Sequence, residues 1–148
     1  MSESMGVKTL IIDGQEISAR AGQTILEVAL ENEINIPTLC HLEGLSNVGA
    51  CRLCLVEIKG SNKLLPACVA NIHEGMEVVT NSERLKKHRR VILELLFAER
   101  NHICAVCVSN GHCELQALGQ EQGLTHISLP YRNPALTVDC LLYTSRCV

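Results

Sequence analysis

Residues 21–40 read AGQTILEVALENEINIPTLC, and this stretch turns the chain from strand to helix and ends on a cysteine. Thr24 has the side chain of an N-cap, and Ile25, Val28 and Ala29 recur at helical spacing. Pro37 lies past the end of that helix. Upstream, VKTLII at 7–12 has the β-branched content of a strand. Asp13-Gly14 is a hairpin turn signal, and residues 15–19 alternate enough to form the returning strand. Downstream, 38–53 is a long irregular segment with glycines at 44 and 49. Strands are predicted at 55–58, 64–69 and 76–80, with Gly60-Ser61-Asn62 as the turn between the first two. Two strands, a helix, a long loop and further strands give an α+β order with a mostly antiparallel or mixed sheet.

A second unit is predicted from Thr80. Thr80-Asn81-Ser82-Glu83 fits a capping box, and a helix is expected to run to about residue 100. Leu85, His88, Ile92, Leu95, Leu96 and Glu99 mark one side of it, and Lys86, Lys87, Arg89 and Arg90 form a basic opposite face. That basic face reads as solvated, or as a docking surface for an acidic partner. Residues 101–113 form a second cysteine loop, and 114–122 a short helix stopped by Gly123.

Composition excludes several functions. The net charge is −3, and the chain has one Phe, two Tyr and no Trp. A nucleic-acid binder needs basic surface and stacking aromatics. The N-terminus has no apolar signal core, and VILELLFA at 91–98 is too short to span a bilayer. A soluble, cytoplasmic protein of a reducing compartment is expected, with no direct membrane insertion. Nine cysteines is an odd count, which argues against a complete disulfide framework.

Cys40, Cys51, Cys54 and Cys68 have the spacing C-x10-C-x2-C-x13-C. Four thiolates can hold a 2Fe-2S cluster, two on each iron. The C-x2-C pair supplies ligands from one tight turn, and nearby glycines let the backbone fold closely around an inorganic core. Three of these cysteines are expected on a loop and Cys68 on a strand. Zinc also takes four thiolates, although common zinc ribbons use two C-x2-C pairs and here the first and last cysteines are single. A zinc-stabilised interaction module without a redox role therefore stays open from spacing alone.

Cys104, Cys107 and Cys113 form a second group, C-x2-C-x5-C, one ligand short of four. His102 stands two residues before Cys104, and His112 is beside Cys113. His41, His73, His88 and His126 read as surface or capping residues. Neither a G-x-G-x-x-G run nor a nucleophile–base constellation is present, so no catalytic residue is assigned.

The strings AGQTILEVALENEINIPTLC, CRLCLVEI and LLPACV carry a resemblance. From Gly22 to Cys68 the chain resembles a ferredoxin-type 2Fe-2S domain. More narrowly, it is similar to the variant found at the N-terminus of the complex I large subunit and of iron-only hydrogenases, and in the diaphorase small subunit of bidirectional NAD-linked nickel–iron hydrogenase. That resemblance implies a β-grasp fold and a 2Fe-2S cluster on Cys40, Cys51, Cys54 and Cys68. The stretch ELLFAERNHICAVCVSNGHCELQALG at 94–119 resembles the diaphorase small subunit most closely. In that family one histidine and three cysteines bind a 4Fe-4S cluster, which implies His102, Cys104, Cys107 and Cys113 here. The sequence departs from the pattern of complex I and the iron-only hydrogenases. Their histidine stands three intervening residues before the first cysteine, a position filled here by Arg100, whose permanent positive charge rules out ligation. His112 is the other candidate for the fourth ligand.

The resemblance implies an electron-transfer subunit of an NAD-linked oxidoreductase, with no substrate site of its own. Its partners would be a flavin- and NAD-binding diaphorase subunit and hydrogenase subunits. The N-terminal part of a complex I large subunit or formate dehydrogenase, and a stand-alone ferredoxin, are the rivals. The expected organisation is a 2Fe-2S domain at 1–80 and a 4Fe-4S domain at 81–123. The segment 124–139 would begin a linker to a further ferredoxin-like module. Residues 140–148, CLLYTSRCV, are expected to be a non-native tail containing Cys140 and Cys147. One back-translation of CLLYTS is TGTCTCTTATACACATCT, the mosaic end of a common sequencing transposon.

Overall fold

The computed structural model describes residues 6–99, 102 and 104–130. The expectation for 140–148, with Cys140 and Cys147, lies outside the described residues. The first unit is a five-stranded mixed sheet built from β1 (Val7–Ile12), β2 (Gln15–Arg20), β3 (Leu55–Ile58), β4 (Leu64–Pro66) and β5 (Glu77–Val79). Their order across the sheet is β2-β1-β5-β3-β4. β1 pairs parallel with β5, and the other neighbours pair antiparallel. The Asp13-Gly14 turn closes β1 on β2 with both residues at positive φ, 50° and 85°. This is the left-handed pair that a two-residue hairpin needs.

Helix α1 (Ile25–Glu31) packs across the sheet. Its buried Ile25, Leu26, Val28 and Ala29 join Leu10, Ile12, Ile17, Val56 and Val78 in one core. Thr24 caps it through a full capping box, in which the Thr24 hydroxyl accepts from Glu27 N–H and the Glu27 carboxylate accepts from Thr24 N–H. The helix ends at Glu31, and Glu33 turns the chain at φ 58°. A hairpin, a covering helix and a closing parallel strand make the α+β arrangement implied by the sequence.

Three local expectations need correction. β4 stops at Pro66, so Cys68 sits in the turn that follows rather than on a strand. The reason is that the carbonyls of Ala67 and Ala70 bond the first N–H groups of α1 instead of continuing the ladder. The second helix, α2, spans Glu83–Glu99, and its first turn is capped by Ser82, whose Oγ accepts from Leu85 N–H at 3.2 Å. Thr80 is used elsewhere: its N–H donates to Asp13 Oδ1 at 2.8 Å, and its hydroxyl to the other carboxylate oxygen. The basic face also divides. Leu85, Arg89, Leu93 and Ala98 are the buried side of α2, while His88 and Leu95 are exposed. Arg89 therefore belongs to the interior, apart from Lys86, Lys87 and Arg90. A short 3-10 turn (Cys104–Val106) and α3 (Glu114–Glu121) complete the second unit. Phe97 of α2 packs on α3, where a Cβ at Gly119 would stand 3.3 Å from its ring. Among the described residues no helix is long and apolar enough to cross a membrane.

Candidate metal centres

The first four cysteines converge. Cys54 follows the positive-φ residue Arg52 (φ 60°) and is 1 % exposed at the entrance to β3. Ala67 N–H donates to the Cys54 carbonyl at 2.9 Å, and Leu26 N–H donates to the Ala67 carbonyl at 3.0 Å. The turn holding Cys68 is thereby tied to β3 on one side and to α1 on the other. This brings Cys68 Sγ to 3.4 Å from Cys54 Sγ. Cys40 and Cys51, both half-buried, form a second pair in which Cys51 N–H donates to Cys40 Sγ at 3.4 Å. The intervening loop is closed by His41, whose Nδ1 lies 2.8 Å from Asn47 Oδ1.

Gly49 completes the cradle. It has φ 63°, and a Cβ there would stand 3.2 Å from Val69 Cγ1 and 3.9 Å from Cys68 Sγ. A side chain would fill space facing the cysteines, which is why glycine is required at this point.

The electrostatics divide the group. The Cys51 amide holds the Cys40 thiol below its ordinary range. Burial, followed by the neighbouring Cys54 side chain, pushes Cys68 up to about 12. Among the described residues no three His, Cys, Asp or Glu side chains converge to hold a single metal ion. Instead Cys54 and Cys68 stand thiol to thiol, and Cys40 is paired with Cys51 through the Cys51 amide. Two thiolates on one tetrahedral metal, at bonds of about 2.3 Å, lie roughly 3.8 Å apart, close to the Cys54–Cys68 spacing. Pairs suit a core that presents two irons, each taking two thiolates.

The second group is local but open. Cys104 and Cys113 are half-buried and Cys107 is exposed. Cys107 N–H donates to the Cys104 carbonyl at 3.2 Å, and Asn110 N–H to the Cys107 carbonyl at 3.0 Å, which curls the loop. Gly111 (φ 84°) turns it into α3, whose N-cap is Cys113. His102 is exposed and packs edge-on to Phe97, with ring centroids 5.4 Å apart. It lines a hollow of about 300 Å³ together with Cys104, Gly119 and His126. His112 is exposed on the loop. The structure thus sets His102 beside Cys104 without drawing the four groups to one point.

Arg89 is the residue beside the first cysteine group whose placement the sequence did not reveal. It is 4 % exposed, and its guanidinium bonds the carbonyls on both sides of Cys54. The i, i+4, i+8 spacing of Leu85, Arg89 and Leu93 is the signal for it in the sequence.

Comparison with known proteins covers both units. Residues 8–83 match the model of the 2Fe-2S iron-sulfur cluster binding domain, and residues 89–128 match that of the NADH-ubiquinone oxidoreductase-G iron-sulfur binding region. The gamma subunit of the NAD-reducing hydrogenase HoxS of Cupriavidus necator is 38% identical over 130 residues, 88% of this chain and 55% of that one. The HndD subunit of the NADP-reducing hydrogenase of Solidesulfovibrio fructosivorans is 42% identical over 81% of this chain and 21% of its own length. The mitochondrial 78 kDa subunit of NADH-ubiquinone oxidoreductase of Candida albicans is 34% identical over 82% of this chain and 17% of its own. A crystal structure of an NAD+-reducing nickel–iron hydrogenase in the H2-reduced state superposes with TM-score 0.81 and 40% identity, over 86% of this chain and 53% of that one. The chain spans about half the length of the gamma subunit it matches.

Proposed function

The chain belongs to the 2Fe-2S iron-sulfur cluster binding domain family, continued by an NADH-ubiquinone oxidoreductase-G iron-sulfur region, and from that premise we propose that it is an electron-relay subunit. It would serve between a flavoprotein partner that handles NAD(H) and a hydrogenase partner, in the cytoplasm. The observation that carries this reading is the paired arrangement of Cys40 with Cys51 and Cys54 with Cys68 around the Gly49 cradle. In this reading Cys40, Cys51, Cys54 and Cys68 hold a 2Fe-2S cluster, and His102, Cys104, Cys107 and Cys113 hold a 4Fe-4S cluster. When bound, these clusters supply one-electron redox chemistry.

The chain's own residues position and shield. Cys54 and Cys68 are buried in the core, while Cys40 and Cys51 are half-buried. Around them Leu42, Leu45 and Val48 are 65–70% exposed, an apolar rim suited to a partner's surface. Residues 1–80 and 81–123 would be the two functional units.

Anaerobic purification with iron, sulfide and zinc analysis and EPR of the reduced protein tests the reading. About six irons per chain with 2Fe-2S and 4Fe-4S signals are expected from one cluster of each kind. A colourless chain holding zinc and no iron would overturn it. The likeness to the 78 kDa subunit supports a second reading, a complex I-type large subunit. Co-purification with hydrogenase subunits or with quinone-reductase membrane subunits separates the two.

A further inference from the structure

Arg89 is a cation held in the interior. Its Nε donates to the Leu53 carbonyl at 3.1 Å, and its terminal nitrogen to the Leu55 carbonyl at 3.0 Å and the Thr80 carbonyl at 2.9 Å. Leu53 and Leu55 flank Cys54, so the guanidinium straddles the peptide units that present this cysteine. Arg89 and Cys54 are 4 % and 1 % exposed, so both side chains lie largely below the surface. All three bonds go to uncharged carbonyls, and among the described residues no carboxylate forms an ion pair with Arg89. Burial lowers its pKa, with Glu121, Cys54 and Asp13 acting in the opposite direction. The guanidinium remains charged throughout the working pH range.

We propose that Arg89 is a positioning and charge-tuning residue that makes the 2Fe-2S centre easier to reduce. This rests on the reading above, in which Cys54 is a cluster ligand. Reduction adds one electron and so one negative charge to a core already anionic from four thiolates. A fixed cation behind one ligand stabilises the reduced core more than the oxidised one. Burial leaves that attraction less screened by salt than one between surface charges. The three carbonyl bonds prevent the cation from moving away, and they fix the backbone that aims Cys54.

The test is EPR-monitored redox titration of the full chain carrying its clusters, at low ionic strength. Arg89→Gln is expected to shift the reduction equilibrium against the reduced form by on the order of tenfold, about 59 mV for one electron, with unchanged g-values. Arg89→Lys, which keeps the charge, is expected to retain most of the wild-type midpoint. Glu121→Gln removes an anion facing Arg89 and is expected to move the midpoint a smaller distance the other way. An intact 2Fe-2S signal with an unmoved midpoint in Arg89→Gln overturns the role of Arg89. Should that variant take up no cluster, a midpoint in Arg89→Lys displaced by about tenfold or more despite the retained charge overturns it. A wild-type chain with no 2Fe-2S signal overturns the cluster reading itself, and this inference with it.

Discussion

Ala67 donates its N–H to the carbonyl of Cys54 at 2.9 Å, and through this bond the β3–β4 pairing reaches past Pro66 to the threshold of Cys68. The Ala67 carbonyl then accepts Leu26 N–H, and the Ala70 carbonyl accepts Ile25 N–H. Two N–H groups that a helix start leaves without partners are satisfied by the cysteine turn. The hydrophobic core beneath α1 and the cysteine pair above it are thus held by the same few bonds.

Weakening the start of α1 should therefore be felt at the cysteines. Thr24→Ala removes the hydroxyl that accepts Glu27 N–H and is expected to cost about 1 kcal/mol of stability. Because the same turn of helix anchors Cys68, the variant should also lose its 2Fe-2S absorbance faster on warming. Chemical denaturation together with visible absorbance measures both. A stability loss with unchanged cluster lifetime would separate the cap from the turn.

Gly49 gives a sharper result. Its φ of 63° costs a non-glycine residue about 1–2 kcal/mol, and the new Cβ would press on Val69 at 3.2 Å. Gly49→Ala is expected to lower both stability and 2Fe-2S content. Gly49→Ala with Val69→Ala should regain part of the content, since the steric half of the penalty is relieved and the backbone half is not. Iron per chain in the two variants is the measurement.

The elements governed by local chemistry were legible in the sequence. The Asp13-Gly14 hairpin, the Thr24 cap and the strand at 55–58 follow from short-range preferences and stand where expected. The strand composition of residues 64–69 predicts Cys68 on a strand, but non-local bonds to α1 end the ladder at Pro66. Thr80 looked like a helix cap because its contact with Asp13, 67 residues away, leaves no local trace. Arg89 looked exposed because a buried guanidinium needs three waiting carbonyls, which only the tertiary fold supplies. The first cysteine group was legible as a set, and its division into pairs was not.

That division predicts different thiol reactivities after iron is removed by chelation under reducing conditions. The thiolate is the nucleophile. Cys40, lowered by the Cys51 amide, has the larger thiolate fraction at any pH near neutrality. Cys68, raised to about 12, gains thiolate only as pH climbs toward that value. Iodoacetamide at pH 8 is expected to label Cys40 well before Cys68, and raising the pH toward 10 should bring Cys68 up. Peptide mass spectrometry reads the order. Equal labelling at pH 8 would mean that the Cys54–Cys68 turn opens once the metal is gone.

His102 and His112 are the two candidates for the fourth ligand of the proposed 4Fe-4S cluster, and their surroundings favour His102. Its ring is oriented by Phe97 and lines the hollow beside Cys104. His112 adjoins Cys113 in the chain, and adjacent side chains diverge. His102→Ala is expected to abolish the 4Fe-4S signal, whereas His112→Ala should retain it, with the 2Fe-2S signal serving in both as the internal control. His102→Cys should restore a cluster, and it should be harder to reduce, because an anionic thiolate replaces a neutral imidazole. Rieske centres, with imidazoles in place of thiolates, have higher potentials than plant-type clusters, which is the same direction. EPR of the reduced variants, with iron content, decides between the two histidines. Loss of the 4Fe-4S signal in His112→Ala and its survival in His102→Ala would reverse the assignment.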